Sequence, residues 1–399
     1  MERQSASSTR RSPLRSLVLP VLAAGLVAAG VSGRAPERAP TPPGTPAGSD
    51  LSLYAEFPNV PVGIAVSRQG RVFLAFSRAI DENQPFSVAE VVDGRPVLYP
   101  PGLAQETGPP ADARLLSVQA LAVDARDRLW ILDCGRIGSK DPEPGATKLV
   151  GVDLATAKVV KTIPFPPAVA GPTAFFNDVV LDLGRGPDGT AFLTDASPKG
   201  PNGIVVVDLA AGTATRRLNA HPSTRPAPGF AARVEGRRLV FARGPNAGKP
   251  QRVGADGIAL DGNGRRLYYA ALSTHRWYRV DAEALADRRR SDADVAKTVE
   301  DLGDRGFASD GMLGSADGAI YVTDYENGAI RKRGADGRLV PFLRDPRLSW
   351  PDSMALAADG TLYVTATQIH RGADFRGADE RVKPFRVWRT RTSSAPLFR

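Results

Sequence analysis

The residues of this chain that could do chemistry occupy two recurring places. Asn177 with Asp178, Asp256, Asp310 and Asp352 each open a short apolar run, as NDVVLD, DGIALD, DGMLG and DSMALA. Gln119 (QALAVD) and Gly63 (GIAVS) hold the same place nearer the N-terminus. A second set, Asp133, Asp195 and Asp324, closes the apolar run that comes next. Several oxygen donors converging on one point suit a hard divalent cation such as Ca²⁺. They suit equally a polar ligand that carries an amine or hydroxyls. Asp beside Gly also has a plain structural use, because its side chain bonds nearby backbone N–H groups in tight turns. Turn capping is the expectation for Asp133, Asp195 and Asp324. For Asn177, Asp256, Asp310 and Asp352 both uses stand open.

Other reactive side chains are sparse. His275 and His370 each follow an apolar run and are candidates for general acid or base work. Tyr325 or Trp277, near the same end, offers a ring for an aromatic ligand. Cys134 is the single cysteine, so no intramolecular disulfide forms. The chain has no GxGxxG opening a helix, no P-loop, no GxSxG and no HExxH, which removes support for nucleotide chemistry, serine hydrolysis and zinc proteolysis.

The elements that must position these residues come as a repeat. Six times the chain runs through an apolar strand, a polar Gly or Asp turn and a second apolar strand. The copies begin at Val62, Val118, Phe176, Ala255, Ser309 and Pro351. Two further strands follow in most units, as in GIVVVDL (203–209) and TATRRLN (213–219). Four strands per unit make a propeller blade, and blades set radially cover one another's apolar faces. The expected fold is all-β: a six-bladed β-propeller over residues 51–392. The last unit ends after three strands with PFRVWRT (384–390), and an orphan strand LSLYAEF (51–57) opens the folded region. That strand is expected to complete the last blade. Inserts near 220–250 and 281–297 interrupt the pattern, the second with the composition of one short surface helix. In such a fold the starts of first strands and the ends of second strands open on one face, at the mouth of a central channel.

The ends of the chain differ from its middle. Arg10, Arg11 and Arg15 precede an apolar run from Leu17 to Val31, too short for a membrane span and suited to an export signal. Residues 1–33 are expected to be that signal or an uncleaved N-terminal anchor, the one route to a membrane. Residues 34–50 read as a Pro-rich linker, and 393–399 as a tail. The net charge of +9 sits mostly at the two ends, so nucleic-acid binding is not expected. A monomer, exported to the periplasm or outside the cell, is.

The segments SVQALAVDARDRLWILDCGR (117–136), FFNDVVLD (175–182), ALSTHRWYRV (271–280) and SDGMLGSADGAIYVTDYENGAIRK (309–332) resemble, in order and spacing, the yellow and major royal jelly protein family. The resemblance implies a six-bladed propeller that binds small amines or is linked to dopachrome conversion. The wider regucalcin and gluconolactonase group implies one divalent metal at the channel mouth and lactone opening. Matched residue by residue, the metal ligands would be Asn177, Asp256 and Asp310, with Asp256 and Asp310 catalytic. The first-blade Glu of that pattern has no counterpart at Val62–Gly63, which removes a negative ligand. The leading expectation is therefore binding of a small polar or amine ligand, contacted by Asn177, Gln119, Asp352, His275 and Tyr325. A metal-dependent lactonase and a protein-interaction scaffold are the alternatives.

Overall fold

A computed structural model describes residues 50–105 and 108–399; the expected export segment and linker lie outside them, save Asp50. The chain forms six four-stranded antiparallel sheets. Their first strands are Gly63–Val66, Val118–Val123, Phe176–Asp182, Ala255–Leu260, Met312–Gly314 and Pro351–Leu356. Contacts run from each first strand to the next and from the sixth back to the first, closing the ring.

The burial pattern explains why the repeat is legible. First and second strands are covered on both faces, so they read as continuous apolar runs; Thr190–Asp195 is buried at every position. Fourth strands form the outer edge and carry charge, as Lys158–Pro164 does. The core lies between blades. Trp130, Leu149 and Phe176 join the second and third blades, and Phe57, Leu74 and Val387 join the sixth to the first. Burying aliphatic or aromatic side chains of this size contributes ~1.5–3 kcal/mol apiece.

The sixth blade is completed as expected. Ser52–Phe57 pairs antiparallel with Phe385–Arg391, from Ser52 opposite Arg389 to Phe57 opposite Phe385. An ion pair between Arg386 and Glu56 at 2.7 Å ties the seam.

The inserts hold differences from expectation. Residues 281–297 form two short helices, Ala282–Ala286 and Asp292–Ala296, capped by Asp281 and Ser291. Leu285 and Val295 are buried in the core of the fourth blade, so apolar spacing, not surface exposure, organises this insert. Residues 220–250 contain a small hairpin, Arg233–Val234 with Arg237–Arg238. The last residues fold back beneath the blades. Ser394 bonds to Tyr321 (2.9 Å) and Asp317 (2.9 Å), and Pro396 bridges to Ser315.

Candidate functional site

The second-strand aspartates are structural. Asp133 accepts from the amides of Leu116 (2.7 Å), Ser117 (3.0 Å) and Gly135 (2.9 Å), and from the Lys148 ammonium at 3.1 Å. Asp195 accepts from Phe175, Ser197 and Arg216, and Asp324 from Asn327 and Arg331. These contacts tie the loops at the channel mouth, as turn capping predicts.

The first-strand residues are placed differently. The pairing slips within the start of four first strands, between Val118 and Ala120, Phe176 and Val179, Ala255 and Ile258, and Pro351 and Met354. Such a bulge leaves residues outside the ladder and re-aims their side chains. Gln119, Asn177, Asp178, Asp256 and Asp352 are the residues concerned. The glycines beside the aspartates are not turn residues. A Cβ on Gly257 would lie 2.2 Å from the Asp310 carbonyl oxygen, and one on Gly311 2.3 Å from that of Asp352. The Asp-Gly pairs thus let neighbouring first strands approach closely and bring the carboxylates together. Three threonines one turn of the pattern later serve the bulges. The hydroxyls of Thr194, Thr323 and Thr365 accept from the amides of Asp178 (3.2 Å), Asp310 (3.1 Å) and Ser353 (3.0 Å). No polar-ligand motif marks them in sequence; their recurrence before Asp195, Asp324 and Ala366 is the one available signal.

The result is a buried acidic chamber. Asp256, Asp310 and Asp352 are 3–7% exposed, and Asn177 is 7% exposed. Asn177 Nδ2 donates to Asp256 Oδ1 at 2.7 Å, and Trp350 Nε1 donates to Asp310 Oδ2 at 2.6 Å. Burial, and after it the charges of Asp310 and Asp178, hold Asp256 well above the usual carboxylate range. Burial also raises Asp310, but donors from Trp350 and Asp256 work against this. Both carboxyls are thus pushed upward by burial, Asp256 the further of the two because the charges of Asp310 and Asp178 add to it while Trp350 donates to Asp310. Burial and the same neighbouring charges push Asp352 and Asp178 upward. None of these four carboxylates forms an ion pair with Lys, Arg or His among the described residues.

An aromatic wall and a roof enclose the chamber. Trp350 stacks on Tyr325 at 4.1 Å and on His370 at 5.8 Å. Tyr325 is buried and donates to the Leu272 carbonyl at 3.1 Å, so it stands within the wall and not at an open rim. Ala232, Val234 and Leu239 of the 220–250 insert pack with Leu272, Tyr325 and Trp350 over the mouth. Glu235, at the hairpin turn, takes contacts from His370 (3.2 Å), Arg371 and Arg376 (3.2 Å). Burial opposes its ionisation, yet bonds from Arg371 and His370 hold it down to about 2. His275 lies to one side, with Nε2 2.7 Å from Glu326 and its ring against Phe230. Gln119 is buried in the second blade with an unpartnered Oε1. The structure thus brings Asn177, Asp256, Asp310 and Trp350 together, with Asp178 and Asp352 close in field, and seats His275 elsewhere. Trp350 is a site residue that the sequence reading missed.

The donor chemistry, all oxygen and mostly carboxylate, matches a hard dication. The arrangement does not: among the described residues no three His, Cys, Asp or Glu are disposed to hold a metal ion. Asn177 turns its nitrogen, not its oxygen, to Asp256.

The family model described as major royal jelly protein matches residues 116–395. Protein yellow of Drosophila subobscura is 27% identical over 208 residues, 50% of this chain and 35% of that protein. Major royal jelly protein 3 of Apis mellifera is 25% identical over 182 residues, 45% of this chain and 31% of that one. The chain thus spans about a third of the length of these curated relatives. Among solved structures, a calcium-binding regucalcin of Agrobacterium tumefaciens superposes with a TM-score of 0.51 at 15% identity, over 87% of this chain and 98% of that one. A putative gluconolactonase gives 0.52 at 14%, over 88% and 95%. At such identities these likenesses establish the propeller fold.

Proposed function

Because this chain belongs to the major royal jelly protein family, we propose that it is an exported binding propeller whose acidic chamber takes a small amine. One observation carries this: Asp256, Asp310 and Asp352 are buried in one another's fields with the half-buried Asp178 close by, and none of the four forms an ion pair with a side-chain cation among the described residues. Burying uncompensated carboxylates destabilises the fold, and a cationic ligand offsets that cost only when bound. An ammonium suits the chamber because it donates up to three bonds in adjustable directions. The apolar roof of Ala232, Val234 and Leu239 lowers the local dielectric, which strengthens each contact. The apolar run after Arg10, Arg11 and Arg15 supports export.

A divalent cation is the second reading, favoured by the oxygen donors and by likeness to a protein described as calcium-binding. It requires Asn177, Asp256 and Asp310 to rearrange so that several oxygens lie ~2.3–2.6 Å from one point. Calorimetric titration of residues 50–399 with primary amines and, separately, with CaCl₂ distinguishes the two. One amine bound per chain, lost in Asp256→Asn/Asp310→Asn, is the expected result. Calcium binding lost in that variant, with no amine binding, replaces the first reading by the second. Heat from neither sinks both.

A further inference from the structure

Around the ring the outer strands differ. Those of the third and fourth blades, Thr213–Arg217 and Glu300–Asp304, are polar and leave no large apolar side chain exposed among the described residues. On the opposite side of the ring, the sixth and first blades do the reverse. Leu53 on Ser52–Phe57, and Val92, Val97 and Leu98 on the hairpin of Val88–Val92 with Arg95–Leu98, are 42–53% exposed. The two edges lie side by side, with Tyr54 and Val91 against one core cluster where these blades meet. Apolar side chains gathered on one edge and missing from the opposite one mark a contact surface.

The shape of the edge selects the partner. Val97 and Leu98 are consecutive, so they point to opposite faces of the sheet, and the edge is apolar on both sides. Such a wedge enters a fluid layer more readily than it matches a rigid surface. Strand addition by another chain is opposed by Pro96, which supplies no N–H within a strand of four residues. Exposed Arg95 and Arg389 flank the apolar group, against Asp93 at the turn; Glu56 is taken by Arg386 at 2.7 Å. Guanidinium groups at such a border suit lipid phosphates. The chain enters the fold at this edge, with Leu51 buried and Leu53 exposed. Before it in sequence come the Pro-rich segment 34–50 and, earlier, the apolar run Leu17–Val31. At ~3.1 Å per residue that segment reaches about 50 Å when extended, so whatever holds the run keeps this edge near by. A run too short to span a bilayer attaches weakly on its own, and a second contact makes attachment stable.

We propose that the outer edge of the sixth and first blades rests on a lipid surface in which residues 17–31 are embedded, whatever ligand the chamber takes. Cys134 is buried, and burial pushes its thiol up to about 11, so a cysteine introduced at the surface is labelled selectively. The full chain carrying Leu98→Cys, Leu53→Cys or, on the third blade, Thr213→Cys is labelled with an environment-sensitive fluorophore. It is then reconstituted with vesicles of phosphatidylcholine and phosphatidylglycerol, with and without nitroxide-labelled acyl chains. Labels at 98 and 53 are expected to shift to the blue and to be quenched by the nitroxide lipid, and the label at 213 to do neither. Val97→Ser/Leu98→Ser should lower quenching at 53 about twofold or more, since it removes apolar area that the lipid covers. Equal quenching at 98 and 213, or quenching at neither, overturns the proposal. A blue shift at 98 that appears without lipid and grows with protein concentration gives the edge to a second copy of the chain. A blue shift without lipid at every concentration, lost in residues 50–399, gives it to the N-terminal segment. Either of these also overturns the lipid contact.

Discussion

Asp133 and Asp352 lie on the same face of one propeller in opposite electrostatic circumstances. Asp133 is wholly buried, yet three amides and the Lys148 ammonium surround it. Asp352 is nearly as buried and has a hydroxyl, Ser353 Oγ at 3.2 Å, and the fields of Asp310 and Asp178 against it. The comparison separates two uses of one residue type. A carboxylate that fastens a loop arrives with its counter-charge supplied by the chain. Asp352 arrives without one, and the rest of the fold carries the cost.

The largest test of that contrast is Asp133→Ala. It strands the buried Lys148 ammonium and three amides, and should cost about 3–5 kcal/mol, read as a lower urea midpoint with unchanged m-value. Trp350→Phe comes next. It keeps the stacking on Tyr325 but removes the donor to Asp310, and should cost about 1–3 kcal/mol, as leaving a buried acceptor unpaired does. It should also weaken amine binding. Asp352→Asn is expected to change sign: a gain of about 0.5–2 kcal/mol at neutral pH, with poorer amine binding. A destabilised Asp352→Asn protein would break the comparison.

The pH dependence sharpens the same point. Asp352 has a folded pKa above its unfolded value. Its contribution is fully present below about pH 4 and is lost as pH rises through the folded value. The gain from Asp352→Asn should accordingly vanish near pH 4, a difference visible in paired melts. Glu235 behaves oppositely. Held down to about 2, it stabilises above its unfolded value and loses that contribution as pH falls toward 2. Because Glu235 is 39% exposed on its side chain, Glu235→Gln should cost only ~0–1 kcal/mol, detected as faster exchange of the roof amides.

Much of this was legible in sequence, for physical reasons. Strands such as Thr190–Asp195 are buried on both faces, so their apolar runs stand out at each repeat. Closure was legible because the last unit stopped after three strands, at Phe385–Arg391, while Ser52–Phe57 stood before the first unit with no neighbour in sequence to pair with. The acidic positions were visible too, but their meaning was not. Asp256-Gly257 and Asp310-Gly311 look like turns locally, and only the approach of the next blade shows why the glycines are there. Trp350 and Glu235 act across separations of 40 to more than 130 residues, and no local pattern encodes such meetings.

The seam of the ring has a consequence for how the protein is made. Glu56 and its partner Arg386 are 330 residues apart. At a ribosome's ~5–20 residues per second, the first strand waits roughly 15–70 s for the strand that will pair with it. Through that interval it is an orphan edge at the head of a growing chain, open to pairing with other molecules. Its shortness, the charge of Glu56 and the two exposed positions at its start are what a nascent segment needs to stay single until the circle can close.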